Sequence, residues 1–137
     1  MLATAQQRQM PSANAHEAYK QTQVQTADKA RLVVLMFEGV IRFCKTLKMN
    51  IEEGKINDGF YHQTKALQVM AELSNSLDPD NEELGKVLFN LYEYITVEIA
   101  KVNVRNKDTR ILVEVTEILE DLLNTIKQAF GLKTKHR

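Results

Sequence analysis

The sequence predicts an all-α fold: an antiparallel four-helix bundle with a short N-terminal helix or segment packed on it. Three observations carry this expectation. Apolar residues recur at steps of three and four through four long stretches. Helix stop and start signals separate those stretches by short connections, and short links make consecutive helices antiparallel neighbours. No segment shows sustained period-two alternation with hairpin turns, so strands are not expected.

The chain opens with residues 1–15, which hold few large apolar side chains and include Pro11; they read as a flexible N-terminus. From His16 to Gln25 the few apolar residues, Ala18, Tyr19 and Val24, can lie on a bundle but cannot fold alone. Thr26 or Asp28 can cap the next helix. That helix runs to Glu53 with Val33, Phe37, Val40, Cys44, Leu47 and Ile51 as its seam, and stops at Gly54, which accepts positive φ. Asn57 or Asp58 caps a second long helix, whose stripe is Phe60, Ala66, Leu67, Met70, Leu73 and Leu77. In the run LDPDNEE, Asp78 caps, Pro79 takes the first helical position, and Glu82 and Glu83 suit the helix dipole. Leu84, Leu88, Leu91, Ile95, Ile99 and Val102 then repeat the rhythm until residues 106–108 break it. Asp108 caps the last helix, built on Leu112, Val115, Leu119, Leu122, Ile126 and Ala129 and ended by Gly131. Residues 16–131 thus form one helical-bundle domain, and 132–137 a flexible basic tail.

Two helices carry more apolar surface than a bundle seam uses. On the first long helix, Leu32, Val34, Met36, Ile41 and Phe43 widen the apolar sector to roughly 200°, where a surface helix needs about 100°. The surplus is either sandwiched between several helices or turned toward a partner. Tyr92 and Tyr94 lie about 200° apart on the third long helix, so both cannot face one core. Gly39, inside a helix, serves either close helix–helix contact or a shallow groove open to another backbone, and Phe43 either lines such a groove or joins the core.

Composition excludes several function classes. Lys and Arg number 18, as do Asp and Glu, so the chain lacks the basic footprint of a nucleic-acid binder. The longest apolar run, Leu32 to Phe37, is far below the ~20 residues that span a bilayer, and the polar N-terminus is unlike a secretory signal. The single cysteine, Cys44, sits on the apolar seam and reads as a small core hydrophobe. A di-metal carboxylate site needs Glu-x-x-His pairs on two helices, and the sequence has none; His16, His62 and His136 are scattered, and the glycines are isolated. No catalytic residue, metal or cofactor is expected. The residues alone point to a soluble, cytosolic helical bundle that binds another protein in an apolar groove, or to one that self-associates as an adaptor or regulatory bundle.

The stretch from residue 18 to 43 resembles the N-terminal signature of the flagellar secretion chaperone (FliS) family. Its elements here are Ala18 and Tyr19, then Val24, Thr26 and Ala27, then Leu32 followed by Leu35, Met36, Phe37, Glu38 and Gly39. Leu91 to Tyr94, continuing to the Ala100–Asn103 turn, is similar to the family's tyrosine-bearing helix. Asp28 stands where the family usually has proline, Phe37 where it has tyrosine, and the last helix lacks a tryptophan often found near its end. The likeness covers residues 15–130.

The resemblance implies a non-enzymatic cytoplasmic export chaperone that binds the C-terminal helical region of flagellin and prevents premature polymerisation during flagellar type III secretion. The export gate and other flagellar proteins are further candidate partners, without nucleic acid or membrane insertion. It also implies that Ala18 to Val24 can act as a displaceable lid over the binding surface. The contact candidates are Tyr19, Val24, Leu32, Leu35, Met36, Gly39, Phe43, Tyr92 and Tyr94.

Overall fold

Heptad-like spacing becomes four helices in the computed structural model, which describes residues 11–77 and 82–131. They are α1 (Pro11–Glu52), α2 (Ile56–Asn75), α3 (Glu82–Lys101) and α4 (Arg110–Ala129). Contacts divide the chain into two units, Met1–Leu32 and Val33–Arg137. In the first, the backbone is helical from Pro11 onward, with the exposed pair Asp28–Arg31 bridging one turn at 3.4 Å.

The second unit is an antiparallel bundle, and its cross-links show the direction of each helix. Glu38 meets Lys127 at 3.5 Å and Lys45 meets Glu120 at 2.9 Å, so α4 runs backward along α1. His62 Nδ1 lies 2.7 Å from the Asn50 side-chain amide, tying α2 to α1 across their hairpin. The Gln63 amide donates to the carbonyls of Ile99 and Val102, each at 3.0 Å, which docks α2 on the end of α3. Tyr94 on α3 donates to Glu114 on α4 at 3.1 Å.

The seam anticipated on α1 is the core. Phe37, Val40, Cys44, Leu47 and Ile51 are at most 1% exposed, alongside Ala66, Met70 and Leu73 of α2. Ile95 and Ile99 of α3 and Leu112, Val115 and Leu119 of α4 complete it. Phe37 and Tyr92 meet edge to face, with ring centroids 6.1 Å apart, an arrangement that suits the quadrupoles of both rings. Phe60 and Leu84, expected on stripes, are exposed instead.

Several element boundaries differ from the sequence reading. No helix starts at Thr26 or Asp28: helix is already present from Pro11, which sits at the first helical position, where its missing N–H is no loss. Nothing from Ser12 to Asp28 is a glycine or proline that would interrupt it. Helix α2 begins before Asn57 and Asp58, with Lys55 at the N-cap and Asp58 in the first turn. The reason is the tight reversal at Gly54, whose φ of +73° turns the chain straight into α2 while Lys55 N–H returns to the Asn50 carbonyl at 2.8 Å. Thr109, not Asp108, occupies the N-cap of α4. Asp108 still accepts the Arg110 backbone N–H at 3.1 Å and its guanidinium at 2.7 Å, which hold the carboxyl down at about 2. The expected cap at Asp78 with Pro79 at the first helical position, residues 1–10 of the N-terminus expected to be flexible over 1–15, and the tail 132–137 lie outside the described residues.

Candidate functional site

Burial separates three kinds of surface on the unit from Val33 onward. The first lies along α3 and α4. Residues Val87, Leu91 and Tyr94 follow one another at steps of four and three, so they share a face of α3 one side away from its core seam. The Tyr94–Glu114 bond ties the antiparallel helices, which brings Leu91 near the level of Glu117 and Ile118 and Val87 near that of Asp121 and Leu122. Val87 is 62% exposed and Tyr94 45%, while Leu91, Ile111, Ile118 and Leu122 are half-buried against the core. Among the described residues α3 packs more closely on α2 than on α4, which leaves this apolar seam open to solvent. Hydrogen bonding and repulsion from the Glu114 carboxylate raise the Tyr94 phenol above its ordinary range, so it stays a protonated donor at neutral pH.

The second surface is the groove between α1 and α4, which encloses about 710 Å³. Its walls are Glu38, Arg42, Lys45, Glu120, Asp121 and Lys127 over a floor of Ile41 and Leu123. It is charged and balanced in sign, chemistry that offers little to an apolar helix face. Lys127 is 6% exposed and faces Glu38, so its cation is taken into the bundle with a carboxylate beside it.

The third lies on the edge of α1 next to α2, where Met36 and Phe43 are half-buried and Phe43 stands 6.2 Å from the His62 ring. Gly39 is buried here, yet a Cβ built on it would meet only the Arg42 guanidinium, at 3.9 Å. The close helix–helix contact considered for Gly39 is therefore absent. The tight approach is at Gly59 instead, where a Cβ would stand 2.5 Å from Val104 Cγ1 in the α3–α4 connection. Gly39→Ala should raise stability by roughly 0.5–1 kcal/mol through helix propensity, measured by urea unfolding. If another chain's backbone uses the gap at Gly39, the same substitution should weaken that partner while stabilising the bundle.

The six candidates on the unit from Val33 onward are thus not gathered in one place. Tyr92 is 3% exposed and spent on Phe37, and burial raises its phenol above the ordinary range. Tyr94 faces outward, so the two tyrosines divide as their 200° separation requires. Leu35 lies on the outer face of α1 at 62% exposure; Met36, Gly39 and Phe43 form the α1 edge. Leu32 is exposed and belongs to the N-terminal unit. The side chains of Tyr19 and Val24 lie outside the described residues. Sequence reasoning missed Val87, Ile111 and Ile118; the signal was present as a second apolar spacing, one position off the core seam on α3 and α4.

Chemistry at single residues is unfavourable where it was considered. Burial pushes the Cys44 thiol up to about 12, so it stays protonated and closed to solvent. Among the described residues no three acidic, histidine or cysteine groups converge on a metal-sized space, and no helix is long and apolar enough to cross a membrane.

A family profile described as flagellar protein FliS matches residues 12–132. Over 124 residues the chain is 28% identical to the flagellar secretion chaperone FliS of Bacillus subtilis, covering 90% of this chain and 92% of that protein. Over 121 residues it is 27% identical to the flagellar secretion chaperone FliS of Campylobacter jejuni, covering 88% and 94% respectively.

Proposed function

The chain belongs to the FliS family of flagellar proteins, and we infer from that membership that it is a flagellar secretion chaperone whose client is the C-terminal helical region of flagellin. The observation that carries the client reading is the open apolar seam between α3 and α4, with Val87 and Tyr94 exposed and Leu91, Ile118 and Leu122 half-buried. A client segment that pairs with other subunits in the filament must keep its own apolar face covered before export. An amphipathic helix laid along α3 and α4 would bury that face on the bundle, reading the seam through residues at i, i+3, i+4 and i+7. Met36, Gly39 and Phe43 on the α1 edge supply a second stretch for a client long enough to continue around the bundle. The work is binding, in the cytoplasm, and needs no nucleotide or metal. Ordering an unfolded client costs part of the gross interaction energy, which keeps release available at the point of delivery.

Calorimetric titration of the purified chain with a flagellin C-terminal peptide of ~40–50 residues should give saturable binding. The heat-capacity change should be negative, of the size expected for roughly 1,000–3,000 Å² of coupled folding, with helicity rising in circular dichroism. A well-folded bundle that gives no heat with the peptide would reject the client reading. Concentration-dependent sedimentation of the chain alone would then favour self-association through the same seam.

A further inference from the structure

The first three turns of α2 carry an exposed aromatic surface that neither the core nor the α3–α4 seam uses. Ile56, Phe60 and Tyr61 are all solvent-exposed large side chains. Ile56 and Phe60 are one turn apart, as are Tyr61 and Lys65, so the surface is two adjoining pairs on neighbouring faces of the helix. Each aromatic ring carries a cation. The Arg105 guanidinium carbon lies 5.2 Å from the Phe60 centroid, and Lys65 Nζ lies 5.5 Å from the Tyr61 centroid.

The charge accounting at this end of the bundle is uneven. Lys48, Lys55, Lys101 and Arg110 each hold a carboxylate at 2.7–3.1 Å. Lys107 donates to the Glu52 carbonyl at 3.0 Å. Lys65 and Arg105 hold no carboxylate among the described residues, although Asp58 is in the first turn of α2. Lys65 and Arg105 are thus cations without a carboxylate partner, each lying on one of the two exposed rings. The main chain at Arg105 is held by its backbone N–H, which donates to Asn103 Oδ1 at 2.9 Å.

Aromatic rings and arginine are the residue types that concentrate binding energy at protein interfaces. A ring with a cation on its face presents an apolar edge and an unmet demand for a carboxylate. Two cations are too few for the phosphate contacts of nucleic-acid binding. We propose that this face of α2, with Arg105, docks an acidic segment of a second protein, an apolar side chain seated against Phe60 and Tyr61 between carboxylates that meet Arg105 and Lys65. The surface lies on α2 and the α3–α4 connection, so it stays open when the α3–α4 seam is filled, and it stands whatever client that seam takes.

The test is an amide NMR titration of the full chain with a capped peptide of sequence Gly-Glu-Asp-Leu-Phe-Asp-Glu-Gly, and with its counterpart carrying lysine at every acidic position. The acidic peptide should shift the amides of residues 56–65 and 103–106 saturably, weaken as salt rises, and leave those of 87–94 and 114–122 unmoved. The lysine peptide should have no such effect. Lys65→Glu combined with Arg105→Glu, both outside the core, should weaken the acidic peptide at least tenfold and reverse the preference toward the lysine peptide. The milder pair Lys65→Gln and Arg105→Gln should weaken it without reversal, and circular dichroism checks that each variant is folded. Equal response to both peptides, shifts confined to the α3–α4 seam, or binding untouched by charge reversal would overturn the proposal. So would a concentration-dependent dimer that moves the same amides with no peptide present, because the occupant would then be a second copy.

Discussion

Phe37→Ala should destabilise the bundle by roughly 3–5 kcal/mol, the range for truncating a fully buried phenylalanine. The ring is wholly excluded from solvent and packs edge to face on Tyr92, with Cys44, Val40 and Ile95 in the same core. Truncation removes the transfer energy of the ring and leaves a void lined by α1 and α3, helices whose register is already fixed by their neighbours. Collapse into the void is therefore limited. For a domain of this size the loss corresponds to a melting temperature lower by about 10–20 °C. Leu35→Ala, two residues away on the outer face at 62% exposure, should stay within about 0.5 kcal/mol of the parent. Urea unfolding of both variants tests the assignment: equal and small changes would mean that the inward face of α1 has been misidentified.

The contrast between Phe37 and Leu35 also marks what the sequence makes legible. The period of three and four picks out Phe37, Val40, Cys44, Leu47 and Ile51 because a seam is a property of one helix. Facts that depend on a neighbouring helix are not written locally. Gly39 and Gly59 look alike in the sequence, yet only Gly59 is pressed by another side chain, Val104. Tyr92 and Tyr94 had to divide between core and surface, but which one meets Phe37 depends on the rotation of α3 against α1. The buried Lys127 and Asn50 follow the apolar rhythm of their helices as polar residues, and their burial makes sense only once Glu38 and His62 stand beside them. For the same reason the six contact candidates on the unit from Val33 onward, gathered by apolarity and resemblance, spread over the outer face, an edge, a seam and the core.

Val87→Glu should weaken capture of the flagellin C-terminal peptide at least tenfold at nearly unchanged bundle stability, and Val87→Glu with Tyr94→Glu about a hundredfold, with a measurable loss of stability because the Tyr94–Glu114 bond is removed. A tenfold loss is about 1.4 kcal/mol, less than the cost of desolvating one carboxylate against an apolar helix face without a partner. Both side chains point into solvent in the free chain, so a carboxylate there stays hydrated until a client arrives. Glu114 already stands beside position 94, so the Tyr94→Glu carboxylate also meets like-charge repulsion within the free bundle, a stability cost that urea unfolding measures apart from binding. Val113→Glu is the matched control: it is 44% exposed on α4 but lies on the side of that helix turned away from α3. Calorimetry should find Val113→Glu close to the parent. If all three variants bind alike, the client does not lie on α3 and α4, and the α1 edge at Met36, Gly39 and Phe43 becomes the surface to substitute next. If Val113→Glu alone loses binding, the client follows the charged α1–α4 groove, and recognition rests on ion pairs with Lys45, Glu120 and Lys127 rather than on apolar burial.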